Sequence, residues 1–165
     1  MKTYLLDWGD TLMVDFPGVP GKMCDWDFVQ SIDGAQEALS VLSRSAELYI
    51  VTGAKESSEA EIKSALARVD LDCYISGYFC LSNIGISKGE HGFLPTVLDR
   101  LETRSNTKPA EVAVVGNSYE ADIQPAVDLG LRSYWLSDDK ETNIDQSVTR
   151  ISNLKELIGG FVTSF

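Results

Sequence analysis

The stretch YLLDWGDTL, residues 4–12, decides the fold, because a short apolar run stops there at a carboxylate, Asp7. Further along the chain, strand-like runs stop three more times at a reactive polar group. The first two end at Thr52 and Lys88, and the third ends at residues 116–118, which read Gly-Asn-Ser. A carboxylate, a hydroxyl, an ammonium and a second group of oxygen ligands, in this order, indicate a site for phosphate and a hard cation.

Apolar runs alternate with helical patterns along the chain, which predicts an α/β fold with a parallel sheet. The predicted strands lie near residues 3–7, 47–51, 77–81, 112–115 and 131–136. The predicted helices lie near residues 34–45, 58–69, 91–103, 119–129 and 152–159. Residues 137–150 are polar and predict a surface loop. We therefore expect a doubly wound, Rossmann-like sheet of five parallel strands in one domain, residues 1–165.

Two helix starts carry specific signals. Ser58 followed by Glu61 is a capping box, in which each side chain pairs with the other residue's backbone N–H. Pro95 is compatible with the helix near 91–103 only if it lies in the first turn, where its missing N–H does no harm.

The polar residues that follow the strands share one edge of the predicted sheet. In doubly wound sheets a ligand binds beyond the carboxyl ends of the strands, where the strand order reverses. Asp7, Thr52 and Asn117 each fall just past a strand end. We expect these three side chains to lie close together, which residues with separate structural roles would not do.

Composition narrows the function classes. The chain has 165 residues, 44% of them apolar, and no run of about 18 apolar residues that could cross a bilayer. The net charge of −11 repels polyphosphate backbones and argues against nucleic-acid binding. The first residues lack the long apolar region of a signal peptide, so we expect a cytoplasmic protein. The three cysteines have no metal-like spacing and are expected to be reduced thiols.

This pattern resembles the haloacid dehalogenase superfamily of hydrolases, over nearly the whole chain from Lys2 to about Leu136. The resemblance comprises four motifs in one order, so it is more specific than any single motif. It implies strand order 3-2-1-4-5. It also implies a nucleophile at Asp7, a phosphate-binding hydroxyl at Thr52, a phosphate-binding cation at Lys88 and a magnesium loop over residues 116–122.

The chemistry of these residue types agrees with the resemblance. A carboxylate such as Asp7 can attack phosphorus and form an aspartyl-phosphate, which divides one difficult displacement into two easier ones. Attack by an anion on an anion requires charge neutralisation, which Mg²⁺, the Lys88 ammonium and the Thr52 hydroxyl would supply. Gly9 and Gly53 leave room for backbone amides to approach the phosphate.

The predicted magnesium site uses oxygen ligands from two neighbouring strand ends. They are the Asp7 carboxylate, the backbone carbonyl of Gly9 and the side chains of Asn117 and Asp122. Asp122 could hold the ion directly or through water. Few of these ligands are charged, so we expect modest affinity for an ion that keeps several waters.

Two positions depart from the family pattern. The family usually has a second Asp two residues after the nucleophile, acting as general acid and base, where this chain has Gly9. Asp10 lies one residue later, where its side chain should point elsewhere. General acid–base help is typically worth about 10²–10⁴-fold, so poor leaving groups should be harder to expel. The second departure is Asn117, where the family usually has Asp, so a negative charge is lost from the metal site.

The segment after the first strand is too short for a helical cap domain. We predict a capless member in which residues 12–33 form a small flap. Trp26 and Phe28 in this flap either cover the site or cover the edge of the sheet. An open site suits a bulky phosphorylated substrate, or one closed over by a neighbouring subunit of a homo-oligomer. A phosphorylated small molecule is the other expected substrate.

Two alternatives compete with a capless hydrolase. Receiver domains also phosphorylate an Asp beside Mg²⁺, but their phosphorylated Asp follows the third strand, so the order of Asp7 and Thr52 favours the hydrolase. The second alternative is a non-catalytic module that keeps the fold and binds a phosphorylated ligand or a protein partner. Gly9 and Asn117 are the residues that support it.

Overall fold

A computed structural model describes residues 2–140 and 143–159. The strands form one sheet, in which every neighbouring pair is parallel, with the order β3-β2-β1-β4-β5-β6. The strands are β1 Lys2–Leu6, β2 Ala46–Val51, β3 Gly77–Phe79, β4 Val112–Gly116, β5 Arg132–Leu136 and β6 Val148–Ile151. The predicted α/β class and the order of the first five strands are confirmed.

Five α-helices of the described residues connect these strands, and a sixth follows β6. They are α1 Ala35–Leu42, α2 Glu59–Ala67, α3 Leu81–Ile84, α4 Phe93–Ser105, α5 Gln124–Asp128 and α6 Glu156–Gly159. Short 3-10 turns lie at Met23–Asp25, Asp72–Tyr74 and Pro109–Glu111, and a π-helical turn at Tyr119–Ile123 leads into α5. No helix among the described residues has both the length and the apolar character needed to cross a membrane.

The prediction of five strands is wrong, because the predicted loop 137–150 runs into a sixth strand. β6 pairs with β5 from Ser133↔Val148 to Leu136↔Ile151. Only its first and last residues, Val148 and Ile151, are buried, and the two between them are polar. A four-residue edge strand with a single buried apolar residue on each face has too few apolar residues to stand out from a polar loop.

The structure confirms two helix signals that were predicted from local sequence. At the start of α2, Ser58 Oγ accepts a hydrogen bond from the Glu61 N–H at 3.3 Å, and Glu61 Oε2 accepts one from the Ser58 N–H at 2.8 Å. The predicted capping box is therefore confirmed. Helix α4 begins at Phe93, so Pro95 lies in its first turn as expected. Helix α3 was not predicted, and the helix predicted near 152–159 is reduced to the single turn α6.

The central strands are buried on both faces by two separate apolar clusters. On one face, Tyr4 and Leu6 of β1 pack in a cluster with side chains of α1 and α2. On the other face, Leu5 packs in a cluster with side chains of α4. Successive side chains of a strand point to opposite faces, so this burial on both sides explains the continuous apolar runs. It also fixes the register that carries Asp7 to the carboxyl edge of the sheet.

Candidate active site

Three predicted site residues follow adjacent strands at the carboxyl edge of the sheet. Strand β1 lies between β2 and β4, so Asp7, Thr52 and Asn117 follow neighbouring strands. The backbone N–H of Asp7 donates to the Val115 carbonyl at 2.9 Å, and that of Thr52 donates to the Phe79 carbonyl at 3.1 Å. The backbone ladder therefore continues one residue beyond β1 and β2, and it positions the side chains of Asp7 and Thr52.

Lys88 lies in the loop between α3 and α4 and reaches into the same edge. Its ammonium Nζ is 2.7 Å from Asp7 Oδ1 and 2.5 Å from Asp122 Oδ1, and it donates to the Val51 carbonyl at 3.1 Å. Burial lowers the pKa of this ammonium, but the two carboxylates outweigh burial, so its pKa lies above the ordinary value. Lys88 is therefore a fixed positive charge shared by two carboxylates.

Asp122 is buried beneath the site by the π-helical turn Tyr119–Ile123. Its Oδ2 accepts a hydrogen bond from the Ser118 N–H at 3.0 Å, and Ser118 Oγ in turn accepts one from the Ala121 N–H at 3.1 Å. Burial raises the pKa of this carboxyl, and the neighbouring Lys88 ammonium opposes that effect. Its Oδ1 has the ion pair with Lys88 but no hydrogen bond of ordinary geometry among the described residues.

Gly116 is required by the position of Asp122. A Cβ at residue 116 would overlap with the Cβ and carboxylate of Asp122. We predict that Gly116→Ala destabilises the protein by about 1–3 kcal/mol, as overpacking of a core does. Gly89→Ala is the matched control, because no atom lies within 4 Å of a Cβ built there. Urea unfolding measures both, and equal stability of the two variants would contradict the assignment.

Thr11 is a site residue that sequence reasoning missed. Its side chain is fully buried, with Oγ1 3.0 Å from Asp7 Oδ2 and 3.2 Å from Asn117 Oδ1. A hydroxyl has one proton, so it can donate fully to only one of these oxygens at a time. The available signal was a short polar residue in the turn directly after Asp7, followed by the apolar Leu12 and Met13.

Gly9 has open space where a side chain could extend toward Asp15. A Cβ built at Gly9 would lie 3.5 Å from the Asp15 Cβ and 3.6 Å from its Oδ2, which are ordinary contact distances. Asp10 is exposed and takes a left-handed conformation with φ 57°, and its Oδ1 accepts the Asp15 N–H at 2.9 Å. Asp10 therefore supports the loop.

A pocket of about 420 Å³ opens over Asp7. One wall is the segment after β2, and the opposite wall comes from the flap, residues 12–33. The residues that line it include Asp7, Gly9, Asp15, Trp26, Thr52 and Gly53. Thr52 is buried, and a Cβ built at Gly53 would lie 3.7 Å from the Lys88 Cβ. The segment that contains Thr52 and Gly53 therefore lies next to Lys88, the third residue predicted to bind phosphate.

The flap is attached to helix α2 and its C-cap. The Arg68 guanidinium donates to the carbonyls of Trp26 at 2.6 Å and Cys24 at 3.3 Å, and Lys22 pairs with Glu61 at 2.7 Å. Trp26 is buried and lines the pocket. Phe28, the other aromatic residue of the flap predicted to cover either the site or the sheet edge, is 64% exposed and does not line this pocket.

Comparison with solved structures identifies the architecture. A 2-haloacid dehalogenase from Pseudomonas syringae pv. Tomato DC3000 superposes with a TM-score of 0.71 at 15% identity, covering 98% of each chain. A candidate HAD-hydrolase from Bacillus subtilis, YfnB, described as bound to magnesium, gives 0.73 at 18% identity, covering 96% of this chain and 97% of that chain. The chain has the haloacid dehalogenase-like fold.

A third solved structure with the haloacid dehalogenase-like fold is a HAD phosphatase from Thermococcus onnurineus. It gives a TM-score of 0.64 at 21% identity and covers 80% of this chain and 60% of that chain. Neither a protein-family model nor a curated protein matches the sequence. At such low identities the likeness establishes the fold, and the chemistry has to be argued from this chain's own side chains.

The haloacid dehalogenase-like fold raises the question of a metal ion at this edge. The described residues hold no group of three or more His, Cys, Asp or Glu side chains able to bind one. The oxygens at hand are the Asp7 carboxylate, the Asn117 amide and the buried Asp122 carboxylate, whose Oδ1 is ion-paired with Lys88. Mg²⁺ typically takes one or two carboxylates and keeps several waters, so this donor set fits magnesium.

Proposed function

We propose that this chain is a magnesium-dependent phosphohydrolase that acts through an aspartyl-phosphate on Asp7. The observation that carries the proposal is the Asp7 carboxylate at a pocket, ion-paired at 2.7 Å to an ammonium that also contacts the buried Asp122. One ammonium held between two carboxylates is costly to bury, and a charge cluster of this kind beside a cleft is a candidate functional site.

The proposed reaction begins with the Asp7 carboxylate attacking phosphorus. The bond from phosphorus to the leaving oxygen breaks, and an acyl-phosphate forms on Asp7. Water then attacks this phosphorus and releases inorganic phosphate and the free carboxylate. Lys88 and the Thr52 hydroxyl would stabilise the phosphoryl oxygens in both steps.

The charge of the site explains the need for a cation. Asp7, Asp122 and Lys88 together carry one net negative charge, which would repel a phosphate dianion. Bound Mg²⁺ would make the net charge of the site positive, and it would neutralise charge on the phosphoryl oxygens. Asp7, Asn117 and Asp122, with the Gly9 carbonyl, are the groups that would hold it.

The pocket supports a phosphorylated small molecule as the substrate. Its volume of about 420 Å³ falls within the range of about 300–1,000 Å³ typical of small-ligand sites. The flap closes one side of the pocket and is held by Arg68 and by the Lys22–Glu61 pair. We therefore propose that residues 12–33 take the place of a cap within the same chain.

A magnesium-dependent screen of phosphorylated metabolites tests this function. The panel should include aryl, acyl and alkyl phosphates, and Asp7→Asn is the blank that reveals contaminating phosphatases. We expect release of phosphate that requires both Mg²⁺ and Asp7. Phosphate release that is equal in the wild type and in the blank would contradict the proposal.

A second candidate function is a non-catalytic module that binds a phosphorylated ligand. The absence of a side chain at Gly9 and of a charge at Asn117 favours it. A wild type inert toward aryl and acyl phosphates that still binds phosphate or vanadate in the presence of Mg²⁺ would establish this alternative.

Magnesium affinity should depend on residue 117. We predict that Mg²⁺ binds modestly in calorimetry with orthovanadate present, and that Asn117→Asp binds it more tightly because a carboxylate replaces a neutral amide. Asn106→Asp is the control, since it adds the same charge at the C-cap of α4, outside the site. Absence of binding with vanadate, or equal gains from the two variants, would count against the assigned ligands.

A further inference from the structure

Asp15 places a carboxyl beside Asp7 in the pocket. Asp15, Gly9 and Asp7 line the same pocket. The Asp15 side chain lies against the space that a side chain at Gly9 would enter, with its Oδ2 3.6 Å from a Cβ built there. A carboxyl from residue 15 therefore faces the volume that residue 9 leaves open.

The backbone holds Asp15 in this place by a closed loop. The N–H groups of Leu12 and Met13 donate to the Trp8 carbonyl at 2.9 and 3.2 Å, and the Asp10 N–H donates to the Met13 carbonyl at 2.7 Å. The Asp15 N–H then donates to Asp10 Oδ1 at 2.9 Å. These bonds turn the chain back on itself, so residue 15 returns to the level of residue 9.

Asp15, rather than Asp10, is the carboxyl of this loop that lines the pocket together with Asp7. Asp10 cannot take the same place, because its carboxylate is turned to the Asp15 backbone. A carboxyl in the same pocket as the nucleophile is placed to give a proton to an alkoxide leaving group.

We propose that Asp15 is a catalytic residue that exchanges a proton with the leaving-group oxygen. The inference rests on the proposed phosphohydrolase function. As the bond from phosphorus to the leaving oxygen breaks, its electron pair stays on that oxygen, which takes the proton of the Asp15 carboxyl and leaves as an alcohol. The Asp15 carboxylate then removes a proton from the water that attacks the aspartyl-phosphate. This restores the acid, and the products are alcohol and inorganic phosphate.

Two substrates of similar shape isolate this role. Benzyl phosphate releases an alkoxide and needs a proton, whereas 4-nitrophenyl phosphate releases a stable anion and does not. For Asp15→Asn we expect kcat/KM to fall by about 10²-fold with benzyl phosphate and by less than about threefold with 4-nitrophenyl phosphate. With the latter substrate kcat should fall and a burst of nitrophenol should appear, because the later attack by water has lost its base.

A double variant that moves the carboxyl from residue 15 to residue 9 gives a result that a purely structural role of Asp15 would not produce. Gly9→Asp combined with Asp15→Asn should restore much of the benzyl phosphate kcat/KM, because the new carboxyl enters the space next to residue 15. Asp25→Asn, which removes an exposed carboxylate of the flap outside the pocket, should behave as the wild type. Thermal melting confirms that each variant is folded.

The remaining outcomes separate this inference from the proposed function. Equal loss of kcat/KM with both substrates, or no loss with either, overturns the role of Asp15. A wild type that cleaves 4-nitrophenyl phosphate but not benzyl phosphate also overturns it, because no working proton donor is present. A wild type that cleaves neither overturns the proposed function, and the inference with it.

Discussion

Asp7→Asn is expected to reduce phosphate-ester hydrolysis by at least about 10³-fold, as removal of a covalent nucleophile does. An amide cannot form the acyl-phosphate, although it retains an oxygen that the Thr11 hydroxyl can bond. We expect no loss of stability, because Lys88 would keep Asp122 as its partner and the repulsion between the Asp7 and Asp122 carboxylates would be relieved. Initial rates with 4-nitrophenyl phosphate and melting curves provide the measurement.

Two results would contradict this expectation for Asp7. Retention of more than a few per cent of the wild-type rate would exclude Asp7 as the nucleophile. A large drop in melting temperature would make any loss of rate uninformative about chemistry, and Asp7→Ser would then be needed as a smaller side chain that leaves the Lys88–Asp122 pair in place.

Lys88→Met should cause a large loss of stability. The side chains of Lys88 and Asp122 are only 10% and 2% exposed, so removing the ammonium leaves a buried carboxylate without its partner. Breaking a buried pair in this way typically costs about 3–5 kcal/mol. Activity should be lost as well, because the phosphoryl group loses a positive charge. Urea unfolding measures the free energy of the variant.

Lys108→Met is the matched control for this change. Lys108 pairs with Glu102 at 2.6 Å, but both side chains are 53% exposed, so solvent screens the pair and its loss should cost at most about 1 kcal/mol. Adding Asp122→Asn to Lys88→Met should recover part of the lost stability, because the unpaired charge is then removed. If Lys88→Met is no more destabilising than Lys108→Met, the buried ion pair does not have the role assigned to it.

The parts of the fold that could be predicted from sequence are those with a strong local signature. Central strands buried on both faces read as apolar runs, and the cap of α2 rests on two residues three apart, Ser58 and Glu61. Strand β6 could not be found in this way, because its pairing with β5 is non-local and its middle residues, Thr149 and Arg150, are polar. The π-helical turn before α5 has the same apolar spacing as an α-helix and could not be distinguished from one.

The location of the candidate site could be predicted from sequence, but the contacts between its side chains could not. That Asp7, Thr52 and Asn117 would share one edge follows from strand ends in a parallel sheet. The contact of Lys88 with Asp122 and the position of Thr11 between Asp7 and Asn117 depend on how loops fold back, which no periodicity encodes. The return of Asp15 to the level of Gly9 depends on hydrogen bonds within one turn, and residue spacing alone gave no sign of it.

Trapping the phosphorylated enzyme tests the central claim most directly. The wild type is mixed with 4-nitrophenyl phosphate and Mg²⁺, quenched in acid during turnover, and digested for peptide mass spectrometry. We predict a mass gain of one phosphoryl group on the peptide that contains Asp7, absent in Asp7→Asn and increased in Asp15→Asn. Steady turnover without any phosphorylated peptide, or with the phosphoryl group on a different residue, would contradict an aspartyl-phosphate mechanism at Asp7.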